Sequence, residues 1–343
     1  MKFNNSYMRP NKKNQGEVPD YNGYAFSPDI WVNGSEPLDW KNFLTDKTNY
    51  STESNYNLEF GKDNYIYVRC YNNTGKKQNN FVSLYYAPAS TILNPQSWKN
   101  NKIYTDKNSD VSNINADDQQ IGVVEDPFIW ESVPFPPSEA GHYCIMAHMN
   151  DALNTNPFPD PTSYVDMAHI LQNNLRWAQR NVTIVKPAQA ATMSYNTDLM
   201  IDIDLIEEAG EFDIVLRPDS NFKDWEVEFF CSRPDSQGKP IALKRKKVDG
   251  ETEVLGGHFK LEYGFNGKIS VYAYNTSGRP PVPGQSIPLE ISYKVHRSEL
   301  EYARKLGVLN EKYSAMINEK IHGRTTNIEH YVVVGQYTGM VGK

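Results

Sequence analysis

The chain has 343 residues, a formal net charge of -7, a pI of about 5.6 and an apolar fraction of 39%. It contains no basic domain, which argues against a nucleic-acid partner because phosphate binding needs clustered Lys and Arg. Its 22 Tyr, 14 Phe and 6 Trp residues supply enough buriable area for a folded protein. Short apolar runs favour strands over helical bundles, and the length suggests two or three domains.

The N-terminus and the cysteines bear on compartment. Residues 1–6 lack the apolar segment of a Sec signal peptide, and no run of about 18 apolar residues exists. We therefore expect no transmembrane segment, and a protein that is cytoplasmic or exported by a signal-independent secretion system.

The three cysteines, Cys70, Cys144 and Cys231, are too few for a disulfide framework. We interpret them as reduced, packed thiols, with a Cys70–Cys144 disulfide as the alternative.

The first part of the chain predicts an arm followed by short strands. Residues 1–24 are polar and contain Pro10 and Pro19, which indicates an extended arm. Residues 64–72 alternate between two faces and end in an Asn/Gly turn. Residues 81–86 follow this turn and are predicted to pair with that strand.

Residues 141–149 predict the central strand of a first β-sandwich. Their side chains alternate between a core face and a second surface. The core set is Tyr143, Ile145, Ala147 and Met149, and the other set is His142, Cys144, Met146 and His148. A proline-rich corner at 134–137 precedes the strand, and residues 179–185 predict the closing strand. We place this domain at 25–188, with long loops at 87–120 and 150–178.

Two of these motifs resemble bacterial immunoglobulin-like modules of the CARDB type. They are NYIYVRCYNNTG at 64–75 and GHYC at 141–144, where Tyr143 falls near a tyrosine-corner position. The resemblance covers about 25–188. It implies a seven-stranded sandwich involved in adhesion or assembly, and it implies no catalytic residue. The long loops depart from a minimal module of this type.

Residues 189–296 predict a second β-sandwich, because short strand patterns recur there, separated by turns about every 8–12 residues. These strands are expected at 199–205, 212–216, 225–230, 241–247, 257–263, 268–274 and 287–295. The predicted fold class is therefore mainly β: two tandem immunoglobulin-like β-sandwich domains with a C-terminal helix and a strand-like tail.

The C-terminal segment, 297–343, predicts one helix over 298–320 and a tail at 330–337. Apolar residues recur along this helix at four-three spacing, which makes a stripe that must be covered. We favour coverage by self-association or a protein partner, and docking onto the second domain is the alternative. The predicted partner interface is Tyr302, Leu306, Leu309, Tyr313, Met316, Tyr331 and Val333.

Aromatic side chains in the first domain indicate a second kind of contact. Six of them could stack on sugar rings, as an exposed face of a lectin-like sandwich would. These predicted binding residues are Tyr65, Tyr67, Tyr71, Tyr85, Tyr86 and Trp98. We prefer a second interpretation, in which the long loops cover them.

Motifs for catalysis are absent from the sequence. It has no Gly-x-Ser-x-Gly elbow, phosphate loop or dinucleotide fingerprint. His142 and His148 share one strand face but lie about 20 Å apart, too far to bind one metal together. A metal site would need partners from the 126–169 loops, where the candidates are Asp126, Asp151, Asp166 and His169. We therefore expect no catalytic residue, no metal and no cofactor.

These observations predict a non-enzymatic bacterial binding or assembly protein that recognises protein or glycan through its β-sandwich domains. The expected setting is surface adhesion, secretion or virulence. One alternative is an effector or accessory protein delivered by a specialised secretion system. Another is a metal-dependent hydrolase with its site in the 126–169 loops.

Overall fold

The chain is mainly β, as its composition and strand patterns predict. The computed structural model describes residues 1–52, 54, 57–88, 92, 94–133, 142–152, 155–185, 194–250, 253–276 and 285–341. The predicted corner at 134–137 and Gly141 lie outside the described residues. Short helices connect the strands: α1 (Trp40–Thr45), α2 (Pro95–Trp98), α3 (Tyr164–Asn173), α4 (Leu300–Leu306), α5 (Glu311–Lys320), and the 3₁₀ turns Lys47–Asn49 and Ser220–Phe222.

Ten strands form the first sheet. They are β1 (Ile30–Val32), β2 (Leu58–Glu59), β3 (Asn64–Tyr71), β4 (Gln78–Pro88), β5 (Lys102–Thr105), β6 (Ser112–Ala116), β7 (Ile121–Val123), β8 (Phe128–Trp130), β9 (His142–Asp151) and β10 (Trp177–Val185). Their order is β1-β3-β8-β5-β4-β9-β10-β2, while β6 pairs with β4 and β7 with β3. Val68 of β3 and Ala147 of β9 belong to one core. The sheet therefore folds over on itself, and its correspondence to a CARDB-type module stays a prediction.

The alternation along β9 is confirmed. Tyr143, Ile145, Ala147 and Met149 point into the first core. Cys144 and Met146, of the opposite parity, belong to a separate cluster on the other face of the sheet. A strand buried on both faces explains why this stretch has so few charged residues.

Two expectations for the first sheet are wrong. Strands β3 and β4 do not pair: β3 contacts β1, β7 and β8, and β4 contacts β5, β6 and β9. Asn72 diverts the chain between them, because its side-chain amide donates to the carbonyls of Lys76 (2.8 Å) and Ala116 (2.9 Å). The predicted loop at 87–120 also contains β5 and β6, whose inward residues Ile103 and Ile114 are buried.

The N-terminal arm is anchored by a buried ion cluster. The Asp29 carboxylate accepts from the guanidinium of Arg9 (Nη2 to Oδ1, 2.5 Å) and from Arg69 (Nε to Oδ1, 3.0 Å). All three side chains are essentially fully buried. Burial alone would raise the pKa of Asp29, but the two guanidinium groups hold that pKa below its usual value. Met8, beside Arg9, packs into the first core.

The second half forms a β-sandwich of two four-stranded sheets, ordered β11-β16-β13-β14 and β15-β12-β17-β18. Their bounds are β11 (Ser194–Asp202), β12 (Gly210–Leu216), β13 (Glu226–Cys231), β14 (Ala242–Lys247), β15 (Leu255–Leu261), β16 (Asn266–Tyr274), β17 (Gln285–Lys294) and β18 (Tyr331–Val341). All seven strands expected at 199–295 are present. Side chains of both sheets, such as Ile269 and Ile291, share one core.

Helix α3 joins the two halves of the molecule. It lies between β9 and β10 of the first sheet, yet Tyr164, Val165 and Ala168 pack in the core of the sandwich. The ring of Tyr164 meets Phe212 of β12 edge-on, with centroids 5.5 Å apart. The loop predicted at 150–178 thus contains a helix that completes the neighbouring core.

The C-terminal segment is helical and then forms a strand, as predicted, but the helix predicted over 298–320 is divided into α4 and α5. Gly307 ends α4 in the left-handed region at φ +68°, a conformation that glycine adopts without strain. The Asn310 side chain then caps α5 by accepting from the backbone N–H of Tyr313 (3.1 Å). Strand β18 follows α5 and pairs antiparallel with β17 as an edge strand of the sandwich.

Cys70, Cys144 and Cys231 form no disulfide with one another, in agreement with the sequence interpretation, and the first two are buried. The thiol of Cys144 donates to Asn181 Oδ1 (3.0 Å). Burial raises the pKa of the Cys70 thiol to about 12, which makes it inert at neutral pH.

Among the helices of the described residues, none has the length and apolar character needed to cross a lipid bilayer.

Candidate functional site

A depression lies on the outer face of β4 and β9. These strands pair antiparallel, with Ser83 opposite His148 and Phe81 opposite Asn150. Their neighbours in sequence point into the first core, so these four side chains point away from it. Tyr85 continues the row along β4. Strand alternation alone therefore collects a polar and aromatic set on one surface.

The loop after β9 closes one side of this depression. Asn156 holds the loop in place: its amide donates to the carbonyl of Met149 (3.1 Å) and its oxygen accepts from Asn174 Nδ2 (3.0 Å). Phe158 follows and is half-buried. The depression has a volume of about 530 Å³, which lies within the range of small-molecule sites, about 300–1,000 Å³.

One wall of the depression is aromatic. The ring of Tyr85 lies 5.4 Å from Phe158 and 5.6 Å from Trp98, and Trp98 lies 5.2 Å from Trp177. Tyr85, Trp98 and Trp177 are buried. Tyr85 and Phe158 line the depression, and the buried Trp98 and Trp177 pack against them. Tilted and edge-on contacts of this kind stabilise ring pairs beyond the area that they bury.

His148 supplies an unused polar atom inside the depression. Its side chain is 6% exposed, and its Nε2 has no hydrogen-bond partner within the described part of the chain. Burial lowers the pKa of His148 to about 4, opposed only in part by the backbone of Asn156. The imidazole is therefore neutral at pH 7. A buried polar atom without a partner is costly, which makes it a natural contact for a ligand.

The depression carries no net charge. Asp151 is the charged side chain among the described lining residues. It pairs with Arg176 at 3.2 Å, and both groups are buried. Burial lowers the pKa of Arg176, and the attraction to Asp151 offsets part of that effect. The remaining polar groups are amides, the hydroxyls of Ser83, Tyr85 and Thr155, and the neutral imidazole.

The six aromatics predicted to bind do not form one exposed face. Tyr67, Tyr85 and Trp98 are buried, so their interpretation as exposed rings is wrong. The preferred interpretation, cover by other segments of the chain, describes the packing of Tyr67, because Trp40 of α1 stacks on it with centroids 5.3 Å apart. The structure brings together only Tyr85 and Trp98, at the aromatic wall. Tyr65 and Tyr86 pack against the first core instead. Tyr71 lies beside Tyr7 and Tyr50.

The predicted partner interface is covered by the chain itself, which contradicts its preferred use between molecules. Tyr313 and Tyr331 are buried and pack with Val215 of β12, and Met316 and Val333 flank this cluster. The hydroxyl of Tyr313 shares a hydrogen bond with that of Ser292. Leu306 and Leu309 pack against the sandwich core, and Tyr302, 46% exposed, donates to Asp166 Oδ1 (2.7 Å).

The loop residues considered for a metal site are dispersed. His148 and Asp151 share the depression described above, but the other candidates have partners elsewhere. Those partners are Tyr337 for His142 (2.7 Å), Asn173 for His169 (3.2 Å), Lys107 for Asp126 (2.5 Å) and Tyr302 for Asp166 (2.7 Å).

Sequence reasoning missed a cluster of Asp213, His258 and His322, whose ligand atoms all lie within 4.8 Å of one another. Asp213 and His258 are directly paired across β12 and β15. His322 comes from the turn after α5. A signal existed in Asp213 itself, a carboxylate in the middle of an apolar strand, but its partners depend on strand register and helix docking.

No family model and no curated protein matches this chain. Among solved structures, the exo-chitosanase CsxA of Amycolatopsis orientalis is 10% identical over 67% of this chain and 24% of its own, with a TM-score of 0.19. The collagen adhesin of S. aureus is 10% identical over 83% and 92% of the two chains, with a TM-score of 0.19. The chain thus spans about a quarter of the exo-chitosanase. Similarities this weak carry no conclusion about function.

Proposed function

We propose that the protein is a non-enzymatic binding protein whose depression on β4 and β9 holds a neutral carbohydrate. The observation that carries this proposal is the partnerless Nε2 of His148, buried beside an aromatic wall. A sugar presents an apolar ring face and a rim of hydroxyls. Phe158 would stack on the ring face, and His148, Ser83 and Asn150 would bond to hydroxyls.

The charge of the site selects among carbohydrates. The imidazole is neutral at pH 7, and Asp151 is already paired with Arg176. An anionic sugar would find no free cation among the described lining residues, and a cationic amino sugar would compete with Arg176 for one buried carboxylate. The ligand is therefore an uncharged sugar or a short neutral glycan. Adhesion or assembly, which the CARDB resemblance implies, is a setting in which such binding would operate.

The acidic side chain that lines the depression favours binding of a sugar over its hydrolysis. Most glycoside hydrolases use two carboxyl groups on opposite sides of the bond that breaks, about 5–9.5 Å apart. The described lining residues offer one, Asp151, which is 3% exposed and paired with Arg176. A carboxylate held in that way is poorly placed to act as a nucleophile or a base.

A panel of neutral and charged sugars, screened by saturation-transfer NMR and followed by calorimetry, tests the proposal. We expect Phe158→Ala and His148→Phe each to weaken binding about tenfold or more, because each removes a principal contact. Tyr104→Ala is the matched control, since Tyr104 is an exposed aromatic (47%) on the same sheet outside the depression. Absence of sugar binding, or equal loss in the control, would reject the proposal.

A further inference from the structure

The outer face of the second sandwich carries a fully buried carboxylate, Asp213. Its neighbours in sequence, Phe212 and Ile214, point into the sandwich core. Asp213 therefore points to the opposite face, where Val215 and helix α5 form a small apolar cluster. An ionised carboxylate in such a place is costly unless a positive charge compensates it.

Permanent cations near Asp213 are engaged by other carboxylates. Lys294 pairs with Glu329 (2.9 Å) and with Glu211, and Arg324 pairs with Glu329 (3.0 Å). In the described part of the chain, the ion-pair partners of Asp213 are two histidines. They are His258, with Nδ1 3.0 Å from Oδ1, and His322, with Nε2 3.1 Å from Oδ2.

We propose that Asp213, His258 and His322 bind a Zn²⁺ ion that fastens the C-terminal helix α5 to the sandwich. A tetrahedral ion with bonds of about 2.0–2.2 Å places its ligand atoms about 3.3–3.6 Å apart. The imidazole nitrogens lie 3.0 Å from Oδ1 and 3.1 Å from Oδ2 of Asp213, and one ligand atom from each of the three residues lies within 4.8 Å of the others, so small side-chain movements would fit them to one ion. Imidazole and carboxylate together suit zinc better than magnesium or calcium. The ion supplies the positive charge that the buried carboxylate needs.

Groups around the three ligands complete the site. Glu211 Oε2 lies 3.8 Å from Nε2 of His258, beyond hydrogen-bond length, and is paired with Lys294. Its negative charge lies near the ring nitrogen that faces away from Asp213. The Tyr331 hydroxyl lies 3.0 Å from Nε2 of His322. Either this hydroxyl or a water would fill the fourth position.

The ligands lie on separate elements, which gives the ion a mechanical role. Asp213 and His258 belong to the sheet, and His322 follows α5 directly. His258 is about one-third exposed (33%), so an ion can reach the site from solvent. Zinc should therefore hold the turn after α5 against the sheet and protect the exposed loop at Arg324.

Zinc titration of the chelator-treated full-length protein against a chromophoric competitor tests this site. We expect one equivalent of Zn²⁺ per chain, a rise in melting temperature on binding, and slower tryptic cleavage at Arg324. His258→Asn and His322→Asn should each weaken zinc affinity by at least about 100-fold. His296→Asn is the matched control, because His296 is exposed and outside the cluster.

Several results would overturn the proposal. The wild-type protein binding no zinc, or His322→Asn binding it as tightly as the wild type, would each do so. The far-ultraviolet circular dichroism of each variant must match the wild type, and His258→Asn, at a partly exposed position, provides a second test if His322→Asn misfolds. Replacement by Co²⁺ should give the intense visible absorption of a tetrahedral site, and a weak octahedral spectrum would contradict the geometry.

Discussion

The hydroxyl of Tyr337 lies 2.7 Å from Nδ1 of His142 and joins the edge strand β18 to the first strand residue of β9. His142 is 3% exposed, and its ring meets that of Tyr337 nearly edge-on. The contact links the two halves of the molecule through one imidazole. Burial lowers the pKa of His142 to about 4, a shift that nearby Asp198 and the backbone of Val182 only partly oppose.

Acid should therefore destabilise the protein well above the pH at which carboxylates titrate. Between pH 6.5 and about 4 the unfolded chain protonates His142 while the folded chain does not, so stability falls as pH falls. From this shift we expect a loss of about 2 kcal/mol at pH 5 for this residue. Urea denaturation at pH 7 and pH 5 measures it. His142→Gln should reduce the pH dependence of the free energy of unfolding. An unchanged pH dependence in this variant would contradict the assignment.

The buried ion cluster of the N-terminal arm should be intolerant of charge removal. Asp29→Asn removes the carboxylate that neutralises Arg9 and Arg69, whose side chains are both buried. We expect a loss of about 3–5 kcal/mol in the free energy of unfolding. The control is Glu17→Gln in the solvent-exposed pair with Lys2, where exposed pairs contribute about 0–1 kcal/mol. Similar losses in both variants, measured in urea, would refute this account.

Removal of residues 297–343 should abolish folding of the sandwich. The deletion takes away β18, whose Tyr331, Val332 and Val334 are buried, and uncovers the face beneath α5. We expect an insoluble or unfolded chain, measured by soluble yield and circular dichroism. Ile328→Ala is the control, because Ile328 is 43% exposed in the same segment. A soluble, folded truncated protein would revive the idea that this segment acts between molecules.

The break between α4 and α5 depends on backbone conformation. A methyl group added at Gly307 meets no atom within 4 Å, so any cost of Gly307→Ala comes from its φ of +68°. We expect about 1–2 kcal/mol of destabilisation by thermal or urea unfolding. Gly250 has equally open surroundings but no positive φ, so Gly250→Ala should be nearly neutral. Equal effects would show that the left-handed conformation is not the cause.

The strands that could be predicted from the sequence were recognised by the alternation of their apolar and polar side chains. This alternation identified the two faces of β9 and all seven strands at 199–295, because each pattern lies within one strand. It failed at β6, where the outward Asn113 and Asn115 made a half-buried strand look like a polar loop. It also failed at the four-residue strand β5. The four-three stripe at 298–320 likewise suggested one helix, although Gly307 divides it.

The candidate sites could not be predicted because they depend on contacts between distant segments. His148 and Tyr85 come together only through the register of β9 on β4. Asp213 and His258 are 45 residues apart in sequence and become neighbours by strand pairing. Aromatic content identified Tyr85 and Trp98 as notable residues, but not that burial would turn them into a wall rather than a surface.

Helix α3 has a consequence for how the molecule comes apart. The helix leaves the first sheet and returns to it, while Tyr164 and Val165 fill the neighbouring sandwich core. Unfolding of either half would therefore expose apolar side chains in the core of the other half. Denaturation should thus be a single cooperative transition in which fluorescence and circular dichroism change together, with a denaturant sensitivity that reflects the combined area of both halves.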